Sequence, residues 1–117
     1  YVYLSYGCHL CLNVVGQPGE AVLIRALVPE VGVEGMIRRR GTDRAIAAGP
    51  GRLGQALGIA LTDSGRTFGE HGFCLEPGAT TPSLLVGPRI GITKAADRPW
   101  RFGMTGVAGL SRSFPAA

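Results

Sequence analysis

From Tyr1 to Val15 the apolar positions come in two short extended stretches. Tyr1 to Leu4 and Cys8 to Val15 are rich in aromatic or β-branched residues, and Ser5, Tyr6 and Gly7 lie between them. The pattern predicts a β-hairpin with Tyr6 near its tip. Gly16 to Gly19 (GQPG) reads as a turn, and a further apolar strand, AVLIRAL, is predicted from Ala21 to Leu27 with one charge, Arg25. Pro29 ends it. VEGMIRRRG, from Val33 to Gly41, is predicted as a short helix whose last turn holds Arg38, Arg39 and Arg40, where cations complement the helix dipole. A second helix is predicted from Pro50 to Gly58, because Pro is favoured at a first helical position and Gly just past the end. Leu53, Ala56 and Leu57 give it an apolar face.

Beyond Leu61 the pattern loosens. Leu61 to Gly72 reads as a polar loop, followed by three predicted strands, Phe73 to Leu75, Leu84 to Ile92 and Trp100 to Met104, with Pro-rich turns between them. No repeat or linker divides residues 1–117. The expectation is one α+β domain with a curved, mainly antiparallel β-sheet, a protruding β-hairpin and flanking short helices.

Composition narrows the class. A hydrophobic content of 45% and a charged content of 17% describe a globular chain, and no window holds the roughly 18 apolar residues that a membrane helix needs. The expected protein is soluble, with no membrane partner. Three cysteines, an odd number, do not form a disulfide framework and point to a reducing, intracellular location. The net charge is +4, and eleven of the twelve basic residues are Arg. Arg suits bidentate contact with phosphate, so a polyanion such as nucleic acid fits. A GC-rich coding bias fits equally well.

Chemistry-bearing patterns are sparse. Cys8 and Cys11 with His71 and Cys74 have zinc-ligand identities, but residues three apart on a strand point to opposite faces, and thiols are ordinary buried residues. No metal is assigned and no cofactor is expected. Gly49, Gly51 and Gly54 in GPGRLG have dinucleotide-fingerprint spacing, yet no strong strand precedes them. A narrower expectation is that the helix N-terminus with Arg52 holds one phosphate of a larger ligand. The eight carboxylates show no paired spacing for acid and base roles, and the serines lack a nucleophile-elbow pattern. Tyr1 and Tyr3 share one strand face, and Tyr6 stands apart in the turn. Such rings serve either as core or as stacking and wedging groups for bases.

Taken in order, YVYLSYGCHLCLNVV, AVLIRAL, AGPGRLGQALGI, VGPRIGI and RPWRF strongly resemble the alkyladenine (3-methyladenine) DNA glycosylases, from Tyr1 to about Arg112. The resemblance implies a monofunctional base-excision repair enzyme. It would flip alkylated or deaminated purines out of double-stranded DNA and hydrolyse the N-glycosidic bond. It gives Tyr6 the gap left by the flipped base and Tyr3 the stacking wall, where a cationic alkylated purine gains from an electron-rich ring. Asn13 matches a residue at the purine's minor-groove edge; the plainer alternative is an Asn satisfying strand backbone. Arg25 matches the arginine near the catalytic water and the flipped nucleotide's phosphate, and an Arg in an apolar strand calls for an anionic neighbour.

Departures accompany the resemblance. Cys8 and His9 stand where the family often has Met and then His or Tyr, and GMTGVAGLSR after RPWRF lacks the usual aromatic and Asn-Pro or Ser-Pro pair. The family's general-base glutamate belongs to a segment before the YVY strand. Residues 1–117 are therefore expected to be the C-terminal larger part of a glycosylase domain, inactive alone and a monomer when full length. Its place would be the cytoplasm at a bacterial nucleoid, or the nucleus of a eukaryote. Two alternatives stay open: a non-catalytic module that binds distorted duplex, and a nucleotide-binding protein using GPGRLG.

Overall fold

In the computed structural model, which describes residues 1–69, 72–80, 83–107, 109–110 and 112–114, the opening alternation forms the predicted hairpin. Strands β1 (Val2–Ser5) and β2 (His9–Val15) pair antiparallel, with Val2 opposite Leu12, Tyr3 opposite Cys11 and Leu4 opposite Leu10. The third strand, β3 (Ala21–Leu23), pairs antiparallel with β2, so the order is β1-β2-β3.

β3 is shorter than the apolar run that predicts it, because the chain changes partners. The Ile24 amide still bonds the Leu12 carbonyl, but Leu27 bonds Ala47 and the Arg25 carbonyl accepts from Gly49, with a bridge between Ala26 and Ala48. Arg25 thus leaves the sheet where the backbone crosses toward the second helix.

Both helices fall where their sequence signals place them. Helix α1 (Val33–Arg40) ends at Gly41, and α2 (Pro50–Leu57) starts with Pro in its first turn and ends at Gly58. The core lies between them and the sheet: Met36, Ala47, Leu53 and Ala56 are buried, with Leu12, Ile24, Leu27, Ile46 and Leu57 packed around them. Leu53 is fully enclosed. Because Leu12 belongs to this cluster, the Leu10/Leu12 face of β2 meets the helices, and alternation turns Cys11 and Asn13 to the other face.

The arginine run at the end of α1 does more than complement its own dipole. Arg39 Nε donates to the Ala56 carbonyl at 2.7 Å, in the last turn of α2, and Gln55 Nε2 returns a bond to the Arg39 carbonyl at 2.9 Å. Arg40 donates to the Ile46 carbonyl and to Gln55 Oε1. Two of the three cations therefore clamp the helices together, and one of them satisfies a C-terminal helix carbonyl.

Three predictions from the looser region change, one being that the strand predicted from Leu84 to Ile92 ends at Gly87, just before Pro88, which has no N–H to give a ladder. A single 3-10 turn (Leu61–Asp63) forms inside the predicted loop, its start held by Asp63 Oδ2 accepting from the Ala60 amide. Phe73 to Leu75 form no strand: three residues between glycine and Glu-Pro-Gly offer too short a ladder to outweigh the ordering of their backbone. The remaining strands, β4 (Leu84–Gly87) and β5 (Arg101–Met104), pair antiparallel in a separate two-stranded sheet. The expected antiparallel strands are thus divided between two open sheets, and the α+β class holds.

Contacts group the chain into two compact units, Tyr1–Glu76 with Gly109–Ser111, and Pro77–Ala108 with Arg112–Ala117. All buried hydrophobic residues among those described belong to the first.

Candidate functional site

Ser5 and Cys8 close the hairpin turn through the Cys8 amide and the Ser5 carbonyl at 3.1 Å, leaving Tyr6 and Gly7 as its two central residues. Both have positive φ, 51° and 70°, as a turn of type I′ requires. Gly7 adopts this freely. For Tyr6 the left-handed conformation costs about 1–2 kcal/mol, and the ring is 92% exposed. A strained backbone therefore holds an aromatic ring fully in solvent, where it contributes no burial to the fold.

Behind the tip, one face of the hairpin gathers the other residues of interest. The Tyr1 and Tyr3 rings stack with centroids 5.8 Å apart and planes 27° from parallel. Tyr3 lies directly across from Cys11, which is buried. Burial pushes the Tyr3 phenol above its ordinary value, the Cys11 thiol and Tyr1 add to the rise, and the Arg25 charge opposes it. Arg25 is thus within electrostatic reach of the Tyr3 ring.

Asn13, two residues along β2 from Cys11, is also buried and donates from Nδ2 to the Tyr1 and Cys11 carbonyls, both at 3.3 Å. Its donors satisfy strand backbone, as the plainer sequence reading has it, and its position is on the Tyr3 face. Arg25 Nε is buried with no hydrogen-bond partner among the described residues. An unmatched donor of this kind costs about 1–3 kcal/mol, and an anion from outside would satisfy it.

Tyr3, Asn13 and Arg25 therefore come together, while Tyr6 stands at the tip. Arg52 is elsewhere: it is exposed in the first turn of α2, on the helix that covers the opposite face of β2, with only a 3.5 Å contact to the Ala48 carbonyl. Sequence reasoning missed Cys11 as a partner of Tyr3; the strand register places it there once Tyr6, Gly7 and Cys8 are known to separate the paired Ser5 and His9.

The glycines of GPGRLG serve packing. A Cβ on Gly51 would lie 2.7 Å from His9 Nδ1, and one on Gly54 would collide with the Leu10 carbonyl. The space these two glycines leave is filled by β2, so it is not open to a pyrophosphate. As for the zinc-type identities, Cys8 is exposed in the turn, Cys11 is buried under the tyrosine face and Cys74 is exposed beside Glu76. His71 lies outside the described residues.

These features define a small α+β protein built around a β-hairpin that offers one ring to solvent and, behind it, an aromatic face with an unmatched arginine. The chain belongs to the methylpurine-DNA glycosylase (MPG) family, whose model matches residues 1–108. Two curated bacterial proteins, both named "Putative 3-methyladenine DNA glycosylase", are similar to it. One from Rhodopseudomonas palustris is 52% identical over 98% of this chain and 58% of its own length. Another from Rhizobium meliloti is 51% identical over 97% of this chain and 63% of its own. A third of the same name, from Nitrosospira multiformis, is 48% identical over 97% and 62%. The chain spans about three fifths of the curated relatives it matches.

Proposed function

We propose that this chain forms the DNA-engaging part of a 3-methyladenine DNA glycosylase. Such an enzyme flips an alkylated or deaminated purine out of the duplex and hydrolyses its N-glycosidic bond. The observation that carries the reading is Tyr6, a ring held in solvent at a local energetic cost. A side chain that lowers the stability of its own turn and packs on nothing is suited to a partner, and an aromatic ring filling the hole in a base stack recovers about 1–3 kcal/mol.

The roles follow from position. Tyr6 enters the gap as the base leaves. Tyr3, held by its pairing with Cys11, is the wall against which the extruded purine stacks, and a positively charged alkylated base is drawn to its face. Arg25 donates from its unmatched Nε to the flipped nucleotide's phosphate and borders the water that attacks C1′. Asn13, fixed through its amide donors, is a rigid edge beside the purine. Arg52 is a phosphate contact outside this pocket. The carboxylate that deprotonates the water is assigned to the part of the relatives' length that this chain does not span, and excision by these residues alone is expected to be absent.

The test is affinity for a duplex holding an abasic-site analogue against the same duplex intact. Tighter binding to the interrupted duplex, with the preference falling about tenfold in Tyr6→Ala (roughly 1.4 kcal/mol), supports the reading. Equal affinity for the two duplexes would remove it. Adding the relatives' remaining segment and measuring release of 3-methyladenine separates an enzyme from a module that only binds distorted DNA.

A further inference from the structure

We propose that the segment from Arg89 to Trp100 is a second surface for nucleic-acid phosphates, separate from the hairpin; that its polyanion is duplex DNA rests on the function proposed above. The charge of the chain is unevenly placed. The first compact unit carries seven basic and seven acidic residues and is balanced, whereas the second carries five basic residues against Asp97 alone. The whole net charge of +4 therefore belongs to the second unit. Within it, Arg101 is turned inward, buried, donating to the Arg112 and Ser113 carbonyls and lying over the Phe114 ring. Of the other four, Arg89, Lys94 and Arg98 share one loop, and Arg112 lies outside it.

That loop is built rather than loose. Arg89 Nη2 reaches across it to the Lys94 carbonyl at 2.9 Å, the Arg98 amide bonds the Ala95 carbonyl, and the Trp100 amide bonds the Arg98 carbonyl at 2.8 Å. Ala95 is held at φ 51°, a conformation that costs a residue with a Cβ. The guanidinium carbons of Arg89 and Arg98 lie 5.1 and 5.5 Å from the centre of the Trp100 ring, which is itself 54% exposed. Arg89 Nε is buried without a partner among the described residues.

A guanidinium stacked on an indole can still present its edge N–H groups to phosphate oxygens; Arg98 offers these, whereas Arg89 spends Nη2 on the Lys94 and Ala95 carbonyls and so holds the loop in shape. Holding Arg98 against Trp100, beside Lys94, before binding reduces the ordering that contact requires. Among the described residues the only salt bridge is Arg66 with Asp63, far along the sequence from this loop, so its cations are not neutralised in that way.

The experiment is a salt titration of binding to an intact duplex by the whole chain and by the double variant Lys94→Gln/Arg98→Gln. Each phosphate contact contributes about 0.9 to the slope of log affinity against log salt, so the double variant should lower the slope by about 1.8. It should leave the preference for an abasic duplex unchanged. Tyr6→Ala should do the reverse, losing the preference and keeping the slope, which distinguishes failure of this surface from failure of the hairpin reading. Arg98→Lys keeps the charge and should keep the slope, so a loss caused by misfolding is recognised. An unchanged slope in the double variant overturns the proposal. So does binding to phosphatidylserine vesicles that the double variant abolishes while its DNA slope stays as it was.

Discussion

Tyr6 puts two demands on one residue: a left-handed backbone and a ring in water. Asn accepts the same backbone more readily and is the usual occupant of this turn position. Tyr6→Asn is therefore expected to raise unfolding stability by about 1 kcal/mol while losing the preference for an interrupted duplex. Denaturant unfolding and DNA titration of the same preparation check both halves. Tyr3 makes a prediction of a different kind. Its phenol is raised above the ordinary 10.0, chiefly by burial, so the folded protein holds that proton more tightly than the unfolded chain does. The corresponding stability is fully present below pH 10.0 and is lost as pH rises through the folded value. Tyr3→Phe should flatten that part of the alkaline decline, read as denaturation midpoints on either side of pH 10.0.

At the level of elements, the contact between α2 and β2 has little room to give. Gly54→Ala would drive a methyl group into the Leu10 carbonyl, and a loss of about 1–3 kcal/mol is expected. Gly35 in α1 makes the opposite case, because the guanidinium tips of Arg39 and Arg38 nearest to it lie at 3.4 Å and beyond, ordinary van der Waals distance for an added methyl group. Gly35→Ala should gain up to about 1 kcal/mol from helix propensity. Thermal melts of the two variants give opposite signs if the packing is as described.

The same contact explains which features were legible in the sequence. The hairpin and both helices carried local signals: alternation, Pro at a start, Gly at an end. The length of β3 did not, since its end is set by Ala47 and Gly49 competing for the backbone of residues 25–27. Phe73 to Leu75 had strand-forming residues without a ladder to join. In the candidate site, the shared face of Tyr1 and Tyr3 followed from alternation alone. The approach of Arg25 to Tyr3 did not, because it arises where β3 leaves the sheet. GPGRLG misled for a related reason: glycine spacing looks the same whether a phosphate or a strand fills the space.

Across the whole molecule, burial and charge are distributed in opposite ways. The first unit holds the buried hydrophobic core and has balanced charge. In the second, the described buried positions are Gly87 and Arg101, while Leu84, Val86, Phe102 and Met104 are exposed on paired strands. A sheet with so little apolar burial opens at low free energy. Amide hydrogens in β4 and β5 should exchange well before those of β2 and α2, and hydrogen-exchange mass spectrometry would show it. Equal protection in both would contradict this account of where the stability resides.

The aromatic residues are divided along the same line. All three tyrosines sit in the hairpin and the single tryptophan, Trp100, sits in the second unit beside two guanidinium groups. The protein therefore carries, without labelling, an optical reporter confined to the second unit. Light that excites only the indole follows the basic loop, so Trp100 emission during a titration with DNA reports that loop apart from the hairpin.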